Sequence, residues 1–329
     1  MLLDIIIPQY KETEEDIKPL LDSIDNQKNI DFSNIRLTIV NDKSDVLLSK
    51  RFLRRYKKLK IKYLINDKNT GPGLARQKGI DNTSGDYIMF IDSDDTLASD
   101  NVLYVILDFI FKHEPKYLVT DIKTEIIKDD KIDTITKKAK DTFPWMHGKV
   151  YQRRFLEEYN IRFHPDIRHL EDTYFTDSIL SVIDRKDINY LDFETVLWKF
   201  NKKSLTRKDK NYHYSVRTFD DFYKTAFYVY DFMCEHKSKM RFSFFVSSMF
   251  GIYILLNSDI FKLDELEEMK NKYLLKLKED INKKKNLFIL FNEEDLIGLY
   301  KNEERELIIR QNLAKIDGSF EDFKNNYLN

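Results

Sequence analysis

Cysteine is almost absent from this chain: Cys234 stands alone in 329 residues, which excludes an internal disulfide framework and both common zinc patterns. The six histidines are scattered singly, and nothing resembles a transition-metal cluster. Net charge is nearly absent too. Lys+Arg 55 against Asp+Glu 56 argues against a nucleic-acid coat protein and against a polybasic membrane binder. No apolar run reaches the ~20 residues that a spanning helix needs. The longest, FSFFVSSMFGIYILLN, bounded by Arg241 and Asp259, carries three serines of its own and reads as a buried or interface helix, with membrane-surface contact as the alternative. The opening MLLDIIIPQY has an acid at Asp4 and no basic flank, so it reads as a first strand and not a signal peptide, and a cytoplasmic location is expected. Proline is missing after about residue 213, where a Lys/Glu-rich chain of helical period sets in.

What is present is ample core material, 42% hydrophobic and 14% aromatic, in a chain longer than the ~250 to 300 residues at which single cores stop growing. Two parts are expected, residues 1–212 and a helical domain over 213–329. The first hundred residues alternate strand and helix: LLDIIIP, a helix ending in LLDSI, IRLTIV, the helix VLLSKRFLRRYKKL, IKYLI, the helix GLARQKGI, then YIMFI. That alternation predicts an α/β fold, a mostly parallel sheet flanked by helices with a Rossmann-like nucleotide-binding half, whose ligands sit at the carboxyl ends of the strands. Pro19 argues that the first regular helix starts near Asp16, because a start at Thr13 places proline beyond the first turn. IIKDDKIDTI reads as a hairpin. The amphipathic C-terminal segments predict self-association or docking of the acceptor.

Three strand ends carry unusual residues: Pro8-Gln9-Tyr10, Asn41-Asp42-Lys43-Ser44 and Asp92-Ser93-Asp94-Asp95. A Gly-Pro-Gly turn then leads into a helix displaying Arg76 and Lys78. The set suits a nucleotide, with Tyr10 stacking the base, Asp42 accepting from its N–H and Arg76 facing phosphate. Phosphate is itself anionic, so the acids need a compensating cation. Carboxylates two apart on an extended chain share a side, which makes Asp92 and Asp94 candidate ligands for one Mn²⁺ or Mg²⁺ that also bridges a diphosphate. Each piece alone has a plainer explanation in turns, caps or core packing, and the order and placement of all of them carry the reading.

With these motifs, IIIPQYKE, IVNDKSD, GPGLARQKGI and IDSDDTL, the sequence resembles family 2 glycosyltransferases of the GT-A fold over roughly residues 2 to 210. Asn41 stands where the family has a first aspartate, and Lys43 replaces a common glycine. The resemblance implies an inverting, metal-dependent enzyme that moves a sugar from a UDP-hexose or UDP-N-acetylhexosamine to a hydroxyl of a glycan, polymer or protein. It adds Pro8, Glu12, Gly73 and Ser93 to the donor side, makes Asp172 of HLEDTYF the base with Glu171 next, and suggests Lys203, Ser204 and Arg207 as a flap on the diphosphate. His147 near Trp145 is a candidate to ligand the metal or touch phosphate, although a lone histidine more often does neither, and Trp145, Tyr151 and Trp198 are candidates for a sugar platform, with core packing the plainer reading for at least two of them. Two readings compete: a nucleotidyltransferase, which has no use for HLEDTYF, and a non-catalytic nucleotide-sugar-binding or assembly protein.

Overall fold

An uninterrupted buried run makes β1 (Leu3–Gln9) the middle of a parallel group in which β2 (Ile35–Asn41) and β4 (Tyr87–Phe90) flank it and β3 (Ile61–Ile65) pairs with β2. This computed structural model describes residues 1–128, 131–142, 145–201, 212–258, 261, 266–289 and 320–328. Beyond β4 the sheet turns antiparallel through β8 (Lys149–Gln152) to β6 (Tyr117–Lys128), then continues to β9 (Ile188–Trp198) and the two-residue β5 (Thr96–Leu97). The expected hairpin is β6 with β7 (Lys131–Lys137). Helices α4 (Val102–His113) and α5 (Arg153–Glu158) follow β5 and β8. The chain divides into two compact units, Met1–Lys208 and Asp209–Asn329.

Register places Gln9 opposite Asn41, while the β1–β4 pairing ends at Ile6 and Phe90. Pro8 therefore sits past the last β4 partner, where its missing N–H breaks no ladder. The carboxyl ends of β1, β2 and β4 open side by side. Ile5, Ile7, Leu37, Ile39 and Met89 form the core beneath them with Ile17, Leu20 and Leu21 of α1 (Glu14–Asp25).

Two expectations are corrected. α1 begins at Glu14, two residues earlier than Pro19 suggests, because Thr13 and Asp16 form a reciprocal capping box, with Asp16 N–H donating to Thr13 Oγ1 at 3.3 Å and Thr13 N–H to Asp16 Oδ2 at 2.9 Å. The proline and the residue that loses its bond, Glu15, both face solvent. The helix expected over VLLSKRFLRRYKKL shrinks to α2 (Lys50–Leu53). Its first residues are held extended: the Val46 carbonyl accepts from Gln9 Nε2 and Asn41 Nδ2, and Leu48 N–H donates to Tyr63 Oη.

Lys43 keeps the glycine-like turn at φ +57°, a left-handed conformation that disfavours a side chain by about 1 kcal/mol or more. Lys43→Gly should raise stability by roughly 0.5 kcal/mol after the extra flexibility of glycine in the unfolded chain is deducted. Urea denaturation checks this, and a loss of stability would mean that the lysine side chain is needed where it stands.

The second unit holds α7 (Tyr212–Glu235), α8 (Arg241–Leu256), α9 (Glu267–Lys283), α10 (Lys285–Ile289) and α11 (Phe320–Leu328). The apolar run of α8 is spent inside this unit: Phe245, Met249, Phe250, Ile252 and Leu256 are buried with Phe219, Phe288 and Phe323. It therefore supplies less free apolar surface for self-association than the sequence suggests. No helix among the described residues is long and apolar enough to cross a membrane.

Candidate active site

The β1 and β2 ends are tied by amides. Asn41 Nδ2 donates to Gln9 Oε1 at 2.6 Å and to the Val46 carbonyl at 3.0 Å, while its Oδ1 accepts from Ser44 N–H at 2.8 Å. An aspartate, which only accepts, cannot make the first two bonds, so the departure at Asn41 has a structural reason. Tyr10 follows at the strand end, 44% exposed, with Lys11 Nζ over its ring at 5.1 Å from the centroid. Pro8 is buried within β1.

Asp42 does not point outward as expected. Its carboxylate accepts from Asn66 Nδ2 at 2.7 Å, from Thr70 N–H and Oγ1, and from Gly71 N–H at 2.7 Å. Five close contacts on a group with about four lone-pair sites leave it committed to the loop that leads into α3 (Pro72–Asp81). That loop turns at Gly71, φ +89°, and places Pro72 at the first helical position.

Arg76 is also corrected. It is buried, 4% exposed, and turned inward: one terminal nitrogen lies 2.7 Å from Asp92 Oδ1 and the other 2.8 Å from Glu171 Oε1. Lys78, two residues on and so on another face of the helix, donates to the Ile65 carbonyl. Gly73, three before Arg76, shares its face, and a Cβ there would stand 2.7 Å from Glu171 Cγ. The glycine makes room for the acid that Arg76 holds.

The acids after β4 are not on an extended chain. Asp95 N–H donates to the Asp92 carbonyl at 3.1 Å and closes a turn, so Asp92 and Asp95 come together where Asp92 and Asp94 were expected to. His147 completes the group, its Nε2 3.1 Å from Asp95 Oδ2 and 3.5 Å from Asp92 Oδ2. Asp94 turns to Asn201 Nδ2 at 2.8 Å, and Asp95 Oδ1 accepts from Lys199 N–H at 3.0 Å. Glu12 stands near Asp94 and Ser93, and its burial raises its proton affinity.

Electrostatics show how the cluster is balanced. Burial opposes the charge on Asp92, but Arg76 and then His147 hold it well below the usual carboxylate range. Burial pushes Asp95 up to about 6 in spite of His147. Burial also disfavours the imidazolium, yet Asp92 and Asp95 hold His147 up to about 10. Two cations of the chain itself thus offset the acids. The distances allow ion pairs, but both His147 ring nitrogens and Asp95 Oδ2 are buried without an aligned hydrogen-bond partner. Two carboxylates and an imidazole whose ligand atoms lie within 4.8 Å of one another, some of them unsatisfied, suit a divalent cation such as Mn²⁺.

His147 is held from behind. Lys149 is fully buried and donates to the Thr142 carbonyl, the Thr142 hydroxyl and the His147 carbonyl at 2.8, 2.9 and 3.1 Å. Trp198 stacks on the His147 ring at 5.1 Å between centroids, with Trp145 beside it at 5.4 Å. Tyr151 is no part of a platform. It is buried between Tyr117, Phe90 and Phe175.

Glu171 and Asp172 open α6 (Glu171–Val182) behind Leu170, which adopts φ +62°. Burial pushes Glu171 up to about 7 against the pull of Arg76, and it raises Asp172 as well, with Asp92 adding to that rise. The acid pair and the Asp92 cluster therefore share one electrostatic neighbourhood. Lys203, Ser204 and Arg207 lie outside the described residues. Asp95, Lys149 and Asn201 are the members that sequence reasoning passed over.

EpsH of Bacillus subtilis (strain 168) is 30% identical over 193 residues, 53% of this chain and 54% of that protein. The poly(ribitol-phosphate) beta-glucosyltransferase of Bacillus spizizenii is 28% identical over 190 residues, 54% of this chain and 29% of the other. The chain thus spans about half the length of the first relative and under a third of the second. The crystal structure of S. aureus TarS 1-349 in complex with UDP-GlcNAc matches with a TM-score of 0.68 and 16% identity, covering 99% of this chain and 92% of that one. That likeness shows the fold, the mixed α/β GT-A type with a helical region after it. Residues 4–170, half of the sequence, match the family described as Glycosyl transferase family 2, and the chain belongs to it.

Proposed function

We propose that the chain transfers a sugar from a nucleotide sugar, a UDP-hexose or UDP-N-acetylhexosamine, to an acceptor hydroxyl with inversion at the anomeric carbon. One observation carries this reading: Arg76 joins Asp92, in the acid–imidazole cluster, to Glu171, in the acid pair of α6, within a single site. A nucleotidyltransferase has no use for that second acid pair. TarS, the solved relative of like fold, has been seen with both UDP and UDP-GlcNAc.

Tyr10 stacks the base above the loop that Asp42 anchors. Asp92, Asp95 and His147 would hold Mn²⁺ or Mg²⁺, with Asp94, Glu12 and Ser93 beside them; the imidazole favours Mn²⁺. When bound, such an ion supplies electrostatic stabilisation of the departing diphosphate. Asp172 takes the proton of the acceptor hydroxyl as its oxygen attacks the anomeric carbon, and the bond to the diphosphate breaks on the opposite face. Arg76 positions Glu171 and Asp92, holds Asp92 ionised and opposes the rise that burial imposes on Glu171.

Calorimetry tests the donor half. UDP affinity should fall at least tenfold when Mn²⁺ is chelated, and Asp92→Asn should reproduce that loss. Equal affinity with and without the ion would remove the metal role.

A further inference from the structure

Lysines cluster at one end of the helical unit, away from any role in transfer. Residues that include Tyr230, Phe242, Asn282, Lys283, Lys284 and Lys285 line a cavity of about 420 Å³, and no carboxylate lines it among the described residues. Lys284 Nζ lies 4.7 Å from the Tyr230 ring centroid, and Arg241 stacks over Phe242 at 4.2 Å. Of the nearby acids, Asp280 is bonded to Tyr223 and Lys283, Glu279 also acts on Lys283, and Asp231 stands exposed next to Tyr230, which leaves Lys284 and Lys285 as the cations these acids do not pair.

Lysines at the end of α9 complement its dipole. That role needs only the last turn, and it leaves the neighbouring apolar side chains unexplained. Phe242, 38% exposed, lines the cavity with the lysines, and Met240, 47% exposed, stands between Arg241 and exposed Lys239 where the α7–α8 connection enters α8. A soluble anion has no use for them. A surface that is negative at its headgroups and apolar just beneath matches both halves of the patch.

We propose that this end of the helical unit docks on an anionic lipid surface. A lipid phosphate sits among Lys283, Lys284, Lys285 and Asn282, while Phe242 and Met240 enter the boundary between headgroups and acyl chains. The partner is chosen by charge complementarity and by the apolar pair at the rim.

Sedimentation of the full chain with phosphatidylcholine vesicles, with and without phosphatidylglycerol, tests the proposal. Binding to the anionic vesicles should be at least tenfold tighter than to neutral ones and should weaken with salt. Lys285→Ala should cost about fivefold, as expected for one cation near a charged surface. Phe242→Ala with Lys285→Ala should cost more than tenfold with unchanged helical circular dichroism. Lys285→Glu, which alters one exposed side chain, should abolish the preference for anionic vesicles. Equal binding to both vesicle types would overturn the proposal, as would undiminished binding by these variants. Complete displacement by millimolar inorganic phosphate would show a soluble phosphate site in place of a lipid one, and would overturn it as well.

Discussion

Asp172→Asn should abolish sugar transfer, by ~10² to 10⁴ in rate, while UDP affinity and the melting temperature stay near wild type. The amide keeps the shape of the carboxylate and can still accept Thr173 N–H, which Asp172 does at 2.8 Å, so the start of α6 should be preserved. It cannot take up a proton at neutral pH. The wild-type pH profile offers a second reading of the same site. Burial raises both Asp172 and Glu171, the latter to about 7, so transfer should rise with pH through the neutral range and be lost as the pair protonates below it. If the Asp172→Asn enzyme keeps more than about a tenth of the rate, the base lies elsewhere, with Glu171 the next candidate.

The second large effect is on stability. Arg76→Met removes the guanidinium between Asp92 and Glu171 and leaves two carboxylates without it. Breaking a buried pair in this way typically costs about 3 to 5 kcal/mol, and the lower end, about 3 kcal/mol, applies because the Asp92 side chain is 33% exposed. Both tryptophans, Trp145 and Trp198, lie in the first unit, so their fluorescence during urea denaturation reports that unit alone. Glu171→Gln in the same chain should recover part of the loss, because an amide needs no counter-charge. The direction with pH follows from Asp92. Its folded-state value is depressed, so its share of stability is present above the ordinary value of 3.8 and is lost as the pH falls through the depressed one. The gap between variant and wild type should accordingly be widest near neutrality and narrow in acid. A loss below about 0.5 kcal/mol would mean that solvent or His147 already compensates both acids.

Much of the fold is legible in the sequence for a simple reason. Strands such as Leu3–Gln9 are buried on both faces and show as continuous apolar runs, and the segments between them carry a helical period. The strand-end motifs are legible as well, because each lies within a few residues along the chain. What local reading misses is made by distance. His147 reaches Asp92 and Asp95 only because β8 folds back antiparallel on β4, a pairing between segments some sixty residues apart. Arg76 reads as a phosphate ligand until α6 arrives against α3 with Glu171. Asp42 is assigned to a base because its competing donors, Asn66 and Thr70, belong to a loop whose path no periodicity reveals. The capping box is itself legible in Thr13 and Asp16, three residues apart, and Pro19 is a competing cue that points to a later start.

One guanidinium shared between two acids carries an obligation of reciprocity. Any cation drawn to Asp92 competes with Arg76 there and leaves the guanidinium more fully to Glu171, which favours the ionised form of that carboxyl. The proton at Glu171 must then disfavour the cation by the same factor by which the cation disfavours the proton. Loading the donor side and readying the acceptor side are in this sense one equilibrium viewed from its two ends, and a single arginine sets the size of the coupling.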